Sequence, residues 1–131
     1  MSQRLRKDRI IIIDFGSQVT KLIARRIREH KVFSEILTPK DLKKKNIFKD
    51  VKGIIFSGGP LTVTGNKFST VPTEVFNLNI PILGICYGHQ LITKYFKGEV
   101  KSNIKKREFG RVVLFKSKNS LLINGFFKKN K

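Results

Sequence analysis

Acidic residues are scarce in this chain: nine Asp and Glu stand against 28 Lys and Arg, giving a formal net charge of +19 over 131 residues. Cysteine occurs once, at position 86, which excludes an internal disulfide and fits a reducing compartment. Near the start the longest apolar run is Ile10 to Ile13, far too short for a signal-peptide core or a membrane span. The expectation is a cytoplasmic protein with no membrane partner. No zinc-ligand spacing, RNA-binding aromatic signature or convincing helix-turn-helix accompanies the positive charge. The basic residues run from Arg4 to Lys131 instead of gathering on one segment. Neither a metal site nor specific nucleic-acid binding is therefore expected, and a lysine-rich surface set by genomic base composition is enough to explain the charge. Repeats and low-complexity tracts are also absent.

What is present suits a single domain, with hydrophobic residues at 40%. Residues 1–8 read as a basic lead-in and 9–131 as the domain. Arg9 to Asp14 reads as a strand buried on both faces, because its apolar run does not alternate. Ser17 is a plausible N-cap for a helix from Gln18 to His30, where Val19, Leu22, Ile23 and Ile27 recur at helical spacing. His30 at its C-terminal end suits the helix dipole. Val32 to Leu37 is a second strand, and Thr38-Pro39 opens a helical turn through Lys45. Gly53 to Phe56 is a third strand, and Thr73 to Asn79 a short helix. Glu99-Val100 and Arg111 to Phe115 read as strands extending the sheet, with a loop or weak helix from Asn119 to Lys131. The alternation predicts an α/β fold with a doubly wound, mostly parallel sheet, its ligand crevice beyond the strands' C-terminal ends.

The remaining stretch carries the chemistry. Ile80 to Ile85 is a short apolar run that ends at Cys86, and a helical pattern begins at once. The spacing Gly84-x-Cys86-x-Gly88 is the cysteine form of a nucleophile elbow. A turn this tight brings neighbouring backbone against the positions two before and two after the nucleophile, which favours glycine at both. The sulfur then sits between a strand end and a helix N-terminus, where the dipole and free N–H groups favour an anionic nucleophile. The alternative is a buried structural cysteine. Ser57-Gly58-Gly59-Pro60, after the third strand, is either a tight turn or an oxyanion hole with bare glycine N–H groups.

Gly84-Ile-Cys86-Tyr-Gly88-His-Gln90 resembles the nucleophile segment of class I (triad-type) glutamine amidotransferases, whose Cys attacks the side-chain amide of glutamine and releases ammonia. The resemblance extends over Asp14-Phe-Gly-Ser-Gln18, Leu22-Ile-Ala-Arg-Arg26, Ser57-Gly-Gly-Pro60 and Arg107-Glu-Phe-Gly110, and is strongest to the GMP synthase branch of that family. It implies a flavodoxin-like fold, Cys86 as the nucleophile and the N–H groups of Gly59 and Tyr87 as oxyanion donors. It also implies that Gln90 helps line a glutamine pocket. The ammonia would pass to a synthetase domain or subunit on another chain, which aminates XMP to GMP. ATP and magnesium would belong to that synthetase part, so this chain is expected to need no cofactor. Arg107 and Glu108 receive no mechanistic role.

Some residues depart from the pattern. Val19 and Lys21 stand where that branch more often has Tyr and Gln, and Lys97-Gly98 replaces a Gly-Gly. More seriously, amide hydrolysis needs a base and a group to orient it. The resemblance places that His and Glu on a segment further toward the C-terminus, with a Ser-His-Gly-Asp stretch, and the sequence reaches neither. His30 lies on the first helix, at its far end from the crevice. His89 occupies an elbow-helix position where many members carry an unused His. The expectation is a domain incomplete at its C-terminus. Losing those sheet elements should expose apolar surface around Val112, Leu114 and Leu122. Two other readings stay open: a non-catalytic remnant or regulatory subunit, and a basic nucleic-acid-binding module.

Overall fold

The computed structural model describes residues 8–64, 70–102 and 110–126. Three short strands rich in Ile and Val form its centre: β1 (Arg9–Ile13), β2 (Phe33–Leu37) and β3 (Val51–Phe56). A fourth, β4 (Ile82–Gly84), completes a parallel sheet of order β2-β1-β3-β4. This is the flavodoxin-like order, and its topological switch point falls between β1 and β3, where the chain winds first one way and then the other. Helix α1 (Thr20–Glu29) crosses from β1 to β2, and α2 (Tyr87–Tyr95) follows β4.

Parallel pairing explains the unbroken run of isoleucines. Ile11, Ile12 and Ile13 have no exposed surface. Ile11 and Ile13 join Ile54 and Phe56 in a core that Tyr87 and Leu91 of α2 cover. Ile12 alternates to the other face. There Ser34, paired with Ile10, donates through its hydroxyl to the Ala24 carbonyl of α1 at 2.9 Å. The two helices therefore lie on opposite faces, as right-handed crossovers in opposite directions require. At the strands' N-terminal end Arg9 is buried and pairs with Glu35.

Both helices end in the same way. Lys31 follows the His30 cap of α1 at φ 60°, and Lys97 follows the Phe96 cap of α2 at φ 60°. The Lys31 N–H donates to Arg28 O and the Val32 N–H to Ile27 O, at 2.8 and 3.4 Å. Lys97 N–H and Gly98 N–H likewise donate to Lys94 O and Thr93 O, at 3.0 and 2.8 Å. These are Schellman motifs with lysine in the left-handed position that glycine usually takes.

Several expectations are corrected. Ser17 is not the N-cap of α1. Val19 holds that position, and Ser17 instead accepts from the Val19 N–H at 3.2 Å in a preceding turn. The helical stretches after Thr38 and from Thr73 shrink to 3₁₀ turns at Asp41–Lys43 and Thr73–Asn77. Glu99-Val100 and Arg111 to Phe115 are not strands, and the latter residues are all exposed. A strand needs an edge whose N–H and C=O groups it can pair with, and a two- or five-residue segment supplies only half of that ladder. Val112, Leu114 and Leu122 are exposed, as expected, by 49%, 70% and 73%. Among the described residues of the tail, the one helical turn is the 3₁₀ segment Leu121–Ile123. The lead-in (except Asp8), Arg107 and Glu108 lie outside the described residues. No helix among the described residues is long and apolar enough to cross a membrane.

Candidate active site

Register brings the ends of the strands to one edge. Ile13 is level with both Leu37 and Phe56, and Phe56 is level with Gly84. The segments that leave β1, β3 and β4 there are 14–19, 57–60 and 85–86, and Cys86 tops the last.

Cys86 is exposed and sits at φ 50°, ψ −112° as the N-cap of α2. A non-glycine residue in that region costs on the order of 1–3 kcal/mol, and the surroundings must hold it there. They do so through close backbone approaches on each side. A Cβ added to Gly84 would come within 2.7 Å of His89 Cα, and one added to Gly88 within 2.2 Å of Phe56 O. The Gly88 N–H donates to both Ile85 O and Ser57 O, at 3.0 and 3.1 Å. Beneath the turn Phe15 packs edge-on to Tyr87, ring centroids 5.1 Å apart. The buried-cysteine alternative is thereby removed, because the sulfur-bearing residue faces outward from a turn that only glycine neighbours permit.

The glycine loop after β3 lies against this turn. A Cβ on Gly58 would stand 3.4 Å from Cys86 Cβ, and one on Gly59 would stand 2.5 Å from Phe15 O. The Gly58–Gly59 peptide is therefore pressed between the β1 loop and the cysteine. Ser57 is fully buried; its N–H donates to Ile13 O at 3.1 Å and its hydroxyl to Gly58 O at 3.1 Å. Thr20, 1% exposed, places its hydroxyl 3.0 Å from Asp14 Oδ1 and 3.2 Å from Ser57 Oγ.

The family model described as "Glutamine amidotransferase class-I" matches residues 11–131. This chain belongs to that family. Among curated relatives it is 44% identical over 123 residues to the GMP synthase [glutamine-hydrolyzing] of Halothermothrix orenii, covering 92% of this chain and 24% of that one. It is 49% identical over 111 residues to the enzyme of the same name from Bacillus cytotoxicus, covering 82% and 21%. The chain thus spans about a quarter of the length of the curated relatives it matches. Among solved structures, the crystal structure of a GMP synthase subunit from Thermoplasma acidophilum aligns with TM-score 0.60 and 28% identity, over 79% of this chain and 52% of that one. The fold is accordingly the flavodoxin-like fold of class I amidotransferases, in part.

Within this amidotransferase fold, Cys86, Tyr87, Gly59 and Gln90 come together at one edge of the sheet. Gln90, one turn into α2, accepts from the Val63 N–H through Oε1 at 3.2 Å, so its amide is tied to the segment that continues the glycine loop. His30 caps α1 at the opposite edge, just before β2 begins level with Arg9. His89 is exposed on α2, and its carbonyl accepts from the Thr93 hydroxyl at 2.9 Å. No group of three His, Cys, Asp or Glu residues that could hold a metal ion is found among the described residues. The sequence reading missed Thr20. Its signal was a polar residue at a position whose helical neighbours Ala24 and Ile27 turn inward.

Proposed function

We propose that this chain carries the glutamine-hydrolysing chemistry of a GMP synthase. Cys86 attacks the side-chain amide of glutamine, Gly59 and Tyr87 N–H groups receive the oxyanion, and Gln90 helps line the glutamine pocket. Ammonia leaves as the γ-glutamyl thioester forms, and water then releases glutamate. The ammonia passes to a synthetase domain or partner chain that aminates XMP to GMP, and ATP and magnesium belong to that part.

One observation carries the reading: an exposed cysteine held at φ 50° between a strand end and a helix, with a glycine peptide packed on its Cβ. Strain of this kind persists where a function needs a side chain presented. The base and its orienting carboxylate come, in this reading, from a His-x-Glu segment outside these residues, because His30 is at the opposite end of the strands and the resemblance leaves His89 unused. The test is ammonia release from glutamine by the chain combined with such a segment. Release that disappears in Cys86→Ala supports the reading; release that survives the substitution, or none at all, overturns it.

A further inference from the structure

The polar chain Asp14–Thr20–Ser57 lies directly behind the glycine loop, and a plain turn has no use for it. Burying a hydroxyl costs free energy unless it is hydrogen-bonded, and alanine or valine would fill the same space without that demand. Ser57 has no exposed surface and Thr20 has 1%. Each hydroxyl is nevertheless satisfied, and the end of the chain is the Gly58 carbonyl, which accepts from Ser57 Oγ at 3.1 Å. The Phe15 N–H adds a further, long contact to Ser57 Oγ at 3.4 Å.

The consequence follows from peptide geometry. In a planar trans peptide the C=O and the N–H point in opposite directions. Anchoring Gly58 O on an inward hydroxyl therefore turns the Gly59 N–H away from the core. A Gly–Gly peptide resists rotation least of all, since neither residue has a Cβ. Without an anchor this plane would rotate at little cost and carry the N–H with it.

We propose that Ser57 is a positioning residue for amide hydrolysis: it orients the Gly58–Gly59 peptide so that the Gly59 N–H meets the developing oxyanion, and Thr20, whose one hydroxyl proton is shared between Ser57 Oγ and Asp14 Oδ1, holds Ser57 from behind. The inference rests on the glutaminase reading above.

Two thiol reagents separate positioning from general support of the fold. A glutamine analogue with a chloromethyl ketone in place of the amide first accepts the thiolate at its carbonyl carbon, building an oxyanion. The sulfur then migrates to the adjacent carbon: its bond to the carbonyl carbon breaks as the C=O re-forms, and the new C–S bond replaces C–Cl with loss of chloride. Iodoacetamide is attacked directly at its CH₂ with loss of iodide, and no oxyanion forms. Removing one oxyanion donor outright typically costs about 10²–10³-fold, so misorienting one should cost about tenfold or more. In the full chain, Ser57→Ala and Thr20→Val should slow chloroketone labelling of Cys86 by that factor and leave iodoacetamide labelling unchanged. Thr20→Ser, which keeps the hydroxyl, should behave as the parent, and Thr20→Val carries the test if Ser57→Ala does not fold. An unchanged chloroketone rate in Thr20→Val, or equal slowing of both reagents, overturns the inference while leaving the glutaminase reading intact. If the parent's chloroketone labelling is neither saturable nor competed by glutamine, the glutaminase reading fails and this inference fails with it.

Discussion

The Gly88 N–H donates to the Ser57 carbonyl at 3.1 Å, and this bond joins the thiol-bearing turn to the glycine loop. The pair is adjacent only because β3 and β4 end level, with Phe56 opposite Gly84. The same closeness leaves Gly88 no room for a side chain, since its Cβ would stand 2.2 Å from Phe56 O. Gly88→Ala should therefore push α2 off β3. Overpacking of this kind costs on the order of 1–3 kcal/mol, more where backbone must move. Urea melts should show a lower midpoint, and iodoacetamide labelling of Cys86 should change with it. An unchanged midpoint would mean that the turn is looser than its backbone contacts imply.

The two lysines in left-handed caps lead to the opposite sign. The left-handed conformation costs a residue with a Cβ roughly 1–2 kcal/mol, offset in glycine by its greater unfolded-state freedom. Lys31→Gly and Lys97→Gly should each stabilise the chain by about 0.5–1 kcal/mol, read from the urea midpoint at constant slope. Gly98, by contrast, must stay small, since a Cβ there would come within 2.7 Å of Thr93 Cγ2. The Lys97-Gly98 departure from a Gly-Gly pair thus acquires a physical meaning: the first glycine is the one whose backbone angle needs it.

Asp41 gives a pH test. Lys44 Nζ lies 2.5 Å from Asp41 Oδ1, and the Thr38 N–H and hydroxyl donate to Oδ2 at 2.8 and 2.7 Å. The Lys44 contact first, then the Thr38 donors, hold this carboxyl well below the usual carboxylate range. A depressed folded-state pKa contributes stability above the unfolded-state value, about 3.9, and that stability is lost as pH falls toward the folded-state value. Asp41→Asn should accordingly lower the melting temperature at neutral pH, with the gap closing below about pH 4. The site is open to solvent, so the gap should be small and should shrink in high salt. A gap that widens in acid would reverse the assignment.

Exposed apolar residues set the next expectation. Leu114, Phe115, Leu121 and Leu122 are 70–96% exposed. Patches of that kind favour association over solvation. Sedimentation should show concentration-dependent self-association of the chain, weakened by a Leu114→Ser, Leu122→Ser double substitution. A cooperative, reversible melt of a monomer at ordinary mesophile temperatures would argue against it.

How much of this was legible in the sequence depends on the range of the interaction. Ile10 to Ile13 could be read as doubly buried, and Cys86 as presented, because composition and glycine spacing encode both locally. Thr20 could not, because its partners Asp14 and Ser57 meet it only when β1 and β3 pair. The tail misled for a related reason. Arg111 to Phe115 has strand-like residues, but propensity does not supply the edge a strand must join. Ser17 was misplaced by two residues, since its hydroxyl serves the turn before α1 as readily as a cap.

The last expectation separates capture from turnover. With Gly59 and Tyr87 as oxyanion donors, the chain alone should be labelled at Cys86 by a chloroketone analogue of glutamine, because chloride leaves without a proton. Ammonia does not, and in this reading neither histidine protonates it: His30 is at the far end of the strands, and the resemblance leaves His89 unused. General acid–base help is typically worth about 10²–10⁴-fold, and residues that work as one unit fail together instead of additively. Glutamine incubated with the chain alone should therefore yield ammonia no faster than with a Cys86→Ala control. Adding the His-x-Glu segment should raise the rate by at least that factor while changing chloroketone capture far less. Substantial Cys86-dependent ammonia release by the chain alone would overturn this expectation. It would make His89, three residues along α2 from the thiol, the base to test next, by His89→Ala and the pH profile of what remains.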